Sequence, residues 1–122
     1  MLIDDDDTIC ELVSAVLGDE GYKVVAVPDA AGGLAALRAA TPKLVLLDSL
    51  THGLAHAEFV TEYRKLPGPH APIYLFTAAS NADTTVKELG LAGVLAKPFD
   101  IRALLELAER HGCEKQDPGR SS

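Results

Sequence analysis

The chain has 122 residues, enough for one domain with a single core, and at 48% hydrophobic it groups with globular rather than disordered chains. No apolar run approaches the roughly 20 residues that span a bilayer, no basic segment leads into an apolar one at the start, and Cys10 and Cys113 form neither a disulfide framework nor a metal-ligand pattern. Net charge is −7 with lysines and arginines scattered singly, which argues against direct nucleic-acid binding; the expected setting is reducing and cytoplasmic, away from membranes.

Met1-Leu2-Ile3 is a short apolar run that ends at four consecutive aspartates, Asp4 to Asp7. As a strand it is clipped beside the usual length of about five residues. Ile9, Leu12, Val13, Val16 and Leu17 then recur at helical spacing, and Thr8-Ile9-Cys10-Glu11 has the form of a capping box, with Gly21 as the stop. Residues 22–27 are rich in β-branched side chains and read as a second strand. Pro28-Asp29 turns the chain into a helix over 30–40, capped by Asp29 and ended by Pro42. Its tandem glycines, Gly32 and Gly33, each cost a helix roughly 1 kcal/mol relative to alanine.

Leu44-Val45-Leu46-Leu47 is a run of branched apolar residues, the pattern of a strand buried on both faces, and Asp48 closes it without a polar transition. A loop over 49–56 and a helix over 57–65 follow, broken by Leu66-Pro67-Gly68-Pro69. Residues 73–76 form a fourth strand ending at Thr77, and a short helix over 82–89 closes at Gly90. Residues 93–96 form a fifth strand ending at Lys97-Pro98. Asp100 caps a last helix that presents Ile101, Leu104, Leu105 and Ala108 on one face and stops at Gly112. The polar tail over 112–122, with Pro118-Gly119, reads as mobile, which leaves one domain over 1–111.

Strands and helices alternate five times, which predicts a doubly wound parallel (βα)5 sheet. The flavodoxin-like strand order 2-1-3-4-5 would bring Asp4 and Asp5 beside Asp48 at the switch point, where ligands of open α/β sheets bind. The strand ends then carry Asp4-Asp5, Pro28-Asp29, Asp48, Thr77 and Lys97. Clustered carboxylates repel one another unless they hold protons or a cation, and oxygen-only ligands suit Mg2+. A carboxylate nucleophile, a hard cation, a hydroxyl donor and an ammonium are the parts needed to form an aspartyl-phosphate.

Each residue also has a plain role: aspartates at a helix start, a turn residue, a β-former and a surface lysine. Taken singly, these roles stand level with the chemical ones. The fall of all four groups at carboxyl ends of strands favours the chemistry.

Ile3-Asp4-Asp5-Asp6, Leu44-Val45-Leu46-Leu47-Asp48, Pro72-Ile73-Tyr74-Leu75-Phe76-Thr77-Ala78 and Leu95-Ala96-Lys97-Pro98-Phe99 resemble the receiver domain of bacterial two-component response regulators, of the chemotaxis-receiver kind. The resemblance spans about residues 1 to 111. It implies that Asp48 accepts a phosphoryl group from a phosphohistidine on a sensor histidine kinase or phosphotransfer protein. It further implies that Asp5 ligates Mg2+ directly, Asp4 does so through water, and Asp48 and the Leu50 carbonyl join them. Thr77 and the Ala78 amide would meet the phosphoryl oxygens, and Lys97 would pair with them. The Lys97-Pro98 bond would be cis, as in the family. Such a domain is a regulatory phosphoacceptor rather than an enzyme, beyond its own phosphotransfer and dephosphorylation.

Three positions depart from the family pattern. Val94 stands where the family has a switching aromatic, and a valine has no ring to rotate. His52 and His56 stand where the family typically has Pro and Gly. An i, i+4 His pair can bind a transition metal on a helix, but Gly53 lies between them and no third ligand is evident, so a reshaped partner-contact loop is the favoured reading. With neither DNA-binding helices nor a catalytic output domain in the sequence, the signal is expected to pass to a downstream protein or a missing output domain. The alternatives are a Mg2+-dependent phosphohydrolase with Asp48 as nucleophile, or a degenerate receiver that binds partners independently of phosphate.

Overall fold

A computed structural model of the chain describes residues 1–39, 41–48, 56–78 and 80–113. Ten elements alternate: β1 (Leu2–Ile3), α1 (Asp7–Asp19), β2 (Ala26–Val27), α2 (Ala30–Ala39), β3 (Val45–Asp48), α3 (His56–Lys65), β4 (Ile73–Thr77), α4 (Ala82–Leu89), β5 (Gly93–Ala96) and α5 (Ile101–Arg110). The five strands make one parallel sheet in the order β2-β1-β3-β4-β5, as the alternation predicts.

Successive strand side chains point to opposite faces, so two cores form. On one face Leu2, Leu46, Tyr74, Phe76 and Leu95 meet Val13 and Leu17 of α1 and Leu104 and Leu107 of α5. On the other Ile3, Val45, Leu47 and Ile73 meet Leu34 and Leu37 of α2 and Phe59, Val60 and Tyr63 of α3. Gly33 accounts for one of the two tandem glycines of α2. A Cβ there would stand 2.5 Å from Ile3 Cδ1 and 3.1 Å from its Cγ1, so a larger residue would force the buried Ile3 side chain or α2 to shift.

Several local expectations need correction. The N-cap of α1 is Asp6, not Thr8: its carboxylate accepts from the Thr8 and Ile9 amides at 2.9 and 3.2 Å. A carboxylate two residues earlier already satisfies the orphan amides that a capping box would serve. Leu12 is 46% exposed although it shares the helical spacing, because the face buried by the sheet is narrower than the apolar stripe. β2 pairs only through Ala26 and Val27, because the β1 it follows is itself only two residues long. The Asp29 and Asp100 caps form as expected, accepting from Gly32 N at 2.6 Å and Arg102 N at 2.8 Å.

α4 ends in a left-handed Gly90 whose amide bonds to Val86 O, and Arg64 of α3 donates to the Gly90 carbonyl at 3.0 Å. Its N-cap residue, Asn81, makes no side-chain cap bond. No helix among the described residues is long and apolar enough to cross a membrane.

Candidate functional site

The parallel register decides which strand ends meet. Ile3 lies opposite Leu47, so the next residues, Asp4 and Asp48, leave neighbouring strands at one level. Both are almost completely buried, at 1% and 2% exposure, and Thr77 at the end of β4 is buried too. Lys97 follows β5, with its amide bonded to Thr77 O at 3.0 Å and a cis bond to Pro98. Its Nζ donates to Asp4 Oδ2 and to Asp48 Oδ1, each at 3.0 Å. The Phe76 ring lies beneath, 4.6 Å from Nζ to its centroid, a distance at which a partly desolvated cation gains from the ring face. The second Asp4 oxygen accepts from the Asp6 amide at 2.9 Å.

Asp5 is exposed, yet one carboxylate oxygen from each of Asp4, Asp5 and Asp48 lies within 4.8 Å of the others. At that spacing each pair of full charges repels by roughly 3 kcal/mol at an effective dielectric near 20. Burial raises the Asp4 carboxyl above its ordinary range. The Asp6 amide and the Lys97 bond pull it back, and the Asp48 charge adds to the rise. Burial works against the Lys97 ammonium, but its bonds to Asp4 and Asp48 together outweigh that and hold it above the usual lysine value. Three carboxylates (−3) and one ammonium (+1) leave a formal −2. An all-oxygen cluster of that charge, open to solvent at Asp5, fits a divalent hard cation; these residues could hold a metal ion.

The sequence-derived site therefore assembles in space: Asp4, Asp5, Asp48, Thr77 and Lys97 occupy one rim of the sheet, with exposed Ala78 next to Thr77. Asp29, the remaining strand-end carboxylate, caps α2 instead. Val94 is half-buried in β5 opposite Leu75. Leu50, His52 and the tail 114–122 fall outside the described residues, and His56 opens α3.

Sequence reasoning missed three contacts. Lys97 bonds to Asp4 as well as to Asp48, the Cys10 thiol donates to the Asp4 carbonyl at 3.3 Å, and Phe76 carries the ammonium. The last was accessible from register. Phe76 pairs with Leu95, and two residues on, Lys97 returns to the same face. No sequence signal points to the Cys10 contact, which depends on how α1 folds back over the β1 end.

The profile of the response regulator receiver domain family matches residues 1–109. The chain is 34% identical over 126 aligned positions to the response regulator protein FleR of Pseudomonas aeruginosa, covering 97% of this chain and 26% of that protein. To the nitrogen assimilation regulatory protein NtrX of Azorhizobium caulinodans it is 31% identical over 117, covering 90% of this chain and 25% of that protein. It thus spans about a quarter of the length of these curated relatives. Among solved structures, the receiver domain of NtrX from Brucella abortus superposes with a TM-score of 0.78 at 32% identity, covering 90% of this chain and 94% of that one.

Proposed function

Because the chain belongs to the response regulator receiver domain family, whose members are phosphoacceptors of two-component signalling, we propose that Asp48 is the residue that accepts the phosphoryl group. The observation that carries this reading is the bridging of Asp48 and Asp4 by Lys97 at 3.0 Å beside exposed Asp5. Asp48 is a buried carboxylate in contact with a cation on one side and with an open, negatively charged metal pocket on the other. Asp4, Asp5 and Asp48, with the Leu50 carbonyl, would hold Mg2+, which when bound neutralises phosphoryl oxygen charge.

In the reaction, an Asp48 carboxylate oxygen bonds to phosphorus as the nitrogen–phosphorus bond of a phosphohistidine breaks, and the imidazole leaves with the electron pair. Lys97 offers its ammonium to a phosphoryl oxygen, from a position fixed by Asp4 and by the Phe76 face. Thr77 supplies a hydroxyl and Ala78 an amide to the other oxygens. The site requires no external general base, because the nucleophile is already a carboxylate. The chain then acts as a regulatory phosphoacceptor, with turnover limited to its own phosphotransfer and dephosphorylation. It works in the cytoplasm, receives the phosphoryl group from a histidine kinase or phosphotransfer protein, and acts on a downstream protein or an attached output domain. The scattered cations and the net charge of −7 support a role without direct nucleic-acid contact for this segment. We take residues 1–111 as the receiver unit. Val94 supports a switch that does not depend on rotation of a ring at that position.

Incubation with Mg2+ and acetyl phosphate, or with beryllofluoride, tests the assignment. One label per chain, on Asp48, is expected, and Asp48→Asn should lose it while keeping its circular dichroism spectrum. Persistent labelling of Asp48→Asn would assign the acceptor role to another residue, and sustained turnover of phosphate esters would favour the hydrolase.

A further inference from the structure

Phe76 stands at a junction in β4. Its register partners are Asp48 on one side and Leu95 on the other, and paired residues project from the same face of a sheet. The ring is completely buried and belongs to the core that also holds Leu46, Tyr74, Leu95 and Leu104. Its face nevertheless meets a full charge, with Lys97 Nζ 4.6 Å from the centroid. The Phe99 ring packs against it at 5.8 Å between centroids and 65° between planes, an edge-to-face contact that orients the Phe76 ring. An aliphatic side chain in this place would strip water from the ammonium and offer it no negative surface.

The ring also differs from the carboxylate partners of Lys97 in how it responds to chemistry. Asp4 and Asp48 each hold Nζ at 3.0 Å through their negative charge. Under the phosphoacceptor reading, on which this inference rests, an Asp48 oxygen becomes part of an acyl phosphate and the carboxylate charge passes to the phosphoryl group. Asp4, as a metal ligand in that reading, shares its charge. Neither event alters the negative face of the ring. We propose that Phe76 is a positioning residue for phosphoryl transfer. Its face keeps the Lys97 ammonium in place as the carboxylates release it, and Phe99 orients the ring in turn.

Site-specific replacement of Phe76 by mono-, di- and trifluorinated phenylalanines tests this, because fluorine drains the negative face while nearly preserving ring shape. The rate of Asp48 labelling by acetyl phosphate at saturating Mg2+ should fall stepwise with fluorine number, by about fivefold in the trifluorinated protein. Two readouts on the metal-free protein need no phosphoryl chemistry. The Lys97 ε-methylene protons should resonate upfield of those of the other lysines, through the ring current, and lose that displacement in Phe76→Leu. In urea unfolding, Phe76→Leu and Lys97→Met should be non-additive, with a coupling of about fivefold or more in the folding equilibrium constant. Equal labelling rates across the fluorinated series, an undisplaced Lys97 resonance, or additive losses in urea would each overturn the proposal. Absence of label on Asp48 in the parent protein is a different failure. It overturns the phosphoacceptor reading and the rate prediction with it, while the resonance and the coupling still decide whether the ring holds Lys97.

Discussion

Replacing Lys97 with methionine removes a side-chain cation in contact with two buried carboxylates and keeps most of the apolar stem. In the parent protein Nζ lies 3.0 Å from both Asp4 Oδ2 and Asp48 Oδ1, and the Lys97 side chain is 21% exposed. Each contact is worth roughly 5 kcal/mol of Coulomb attraction at an effective dielectric near 20, most of it offset by the desolvation of the ions. Breaking a buried pair by removing one partner typically costs about 3–5 kcal/mol. That is a large share of the roughly 5–15 kcal/mol that holds a domain folded. Urea unfolding of Lys97→Met without divalent cations should show a loss of this size. Two further signs distinguish an electrostatic loss from poor packing. The Asp4 carboxyl already sits above its ordinary value, chiefly through burial. A raised folded-state value means stability is full below the unfolded value and falls as pH rises through the folded one. Without Lys97 that rise grows, so the deficit should widen from mildly acid to neutral pH. Mg2+ should also restore more stability to the variant than to the parent, because it replaces a lost positive charge. A loss below about 1 kcal/mol, the range of exposed ion pairs, together with insensitivity to pH and Mg2+, would refute the reasoning.

Asp5→Asn should keep the fold and shift the Mg2+ concentration needed for Asp48 labelling upward; an unchanged requirement would remove Asp5 from the pocket. Gly33→Ala should destabilise by about 1–3 kcal/mol despite the better helix former, because its Cβ would meet Ile3 Cδ1 at 2.5 Å; urea unfolding that shows a gain would contradict this. Asp6→Ala should cost about 1 kcal/mol as a lost N-cap, whereas Thr8→Ala should be nearly neutral in the same assay. Equal losses would show that the capping box operates after all.

The sheet was readable from sequence because a parallel fold buries its central strands on both faces. Residues 44–47 and 73–76 therefore announce themselves as unbroken apolar runs. β2 was harder to bound. At the sheet edge Ala26 is exposed and Val27 half-buried, and the β-branched composition of residues 22–27 extends beyond the two that pair. The site was legible because its chemistry falls at strand ends, so the alternation alone lists the candidates. What no periodicity encodes is which way a short side chain turns. Asp6 and Asp29 went to helix amides, Asp4 went to Lys97, and the choice among four consecutive aspartates was settled by the path of the chain into α1.

Arg64 fastens one end of α4 and leaves the other without a side-chain fastening at its cap, so the helix is restrained as a lever is by its fulcrum. The held end, at Gly90, leads directly into β5, while the loosely capped end, at Asn81, follows Thr77 by only four residues. A small displacement at the β4 rim would therefore reach α4 through the buried Ala82 at that end, with the Arg64 contact holding the other.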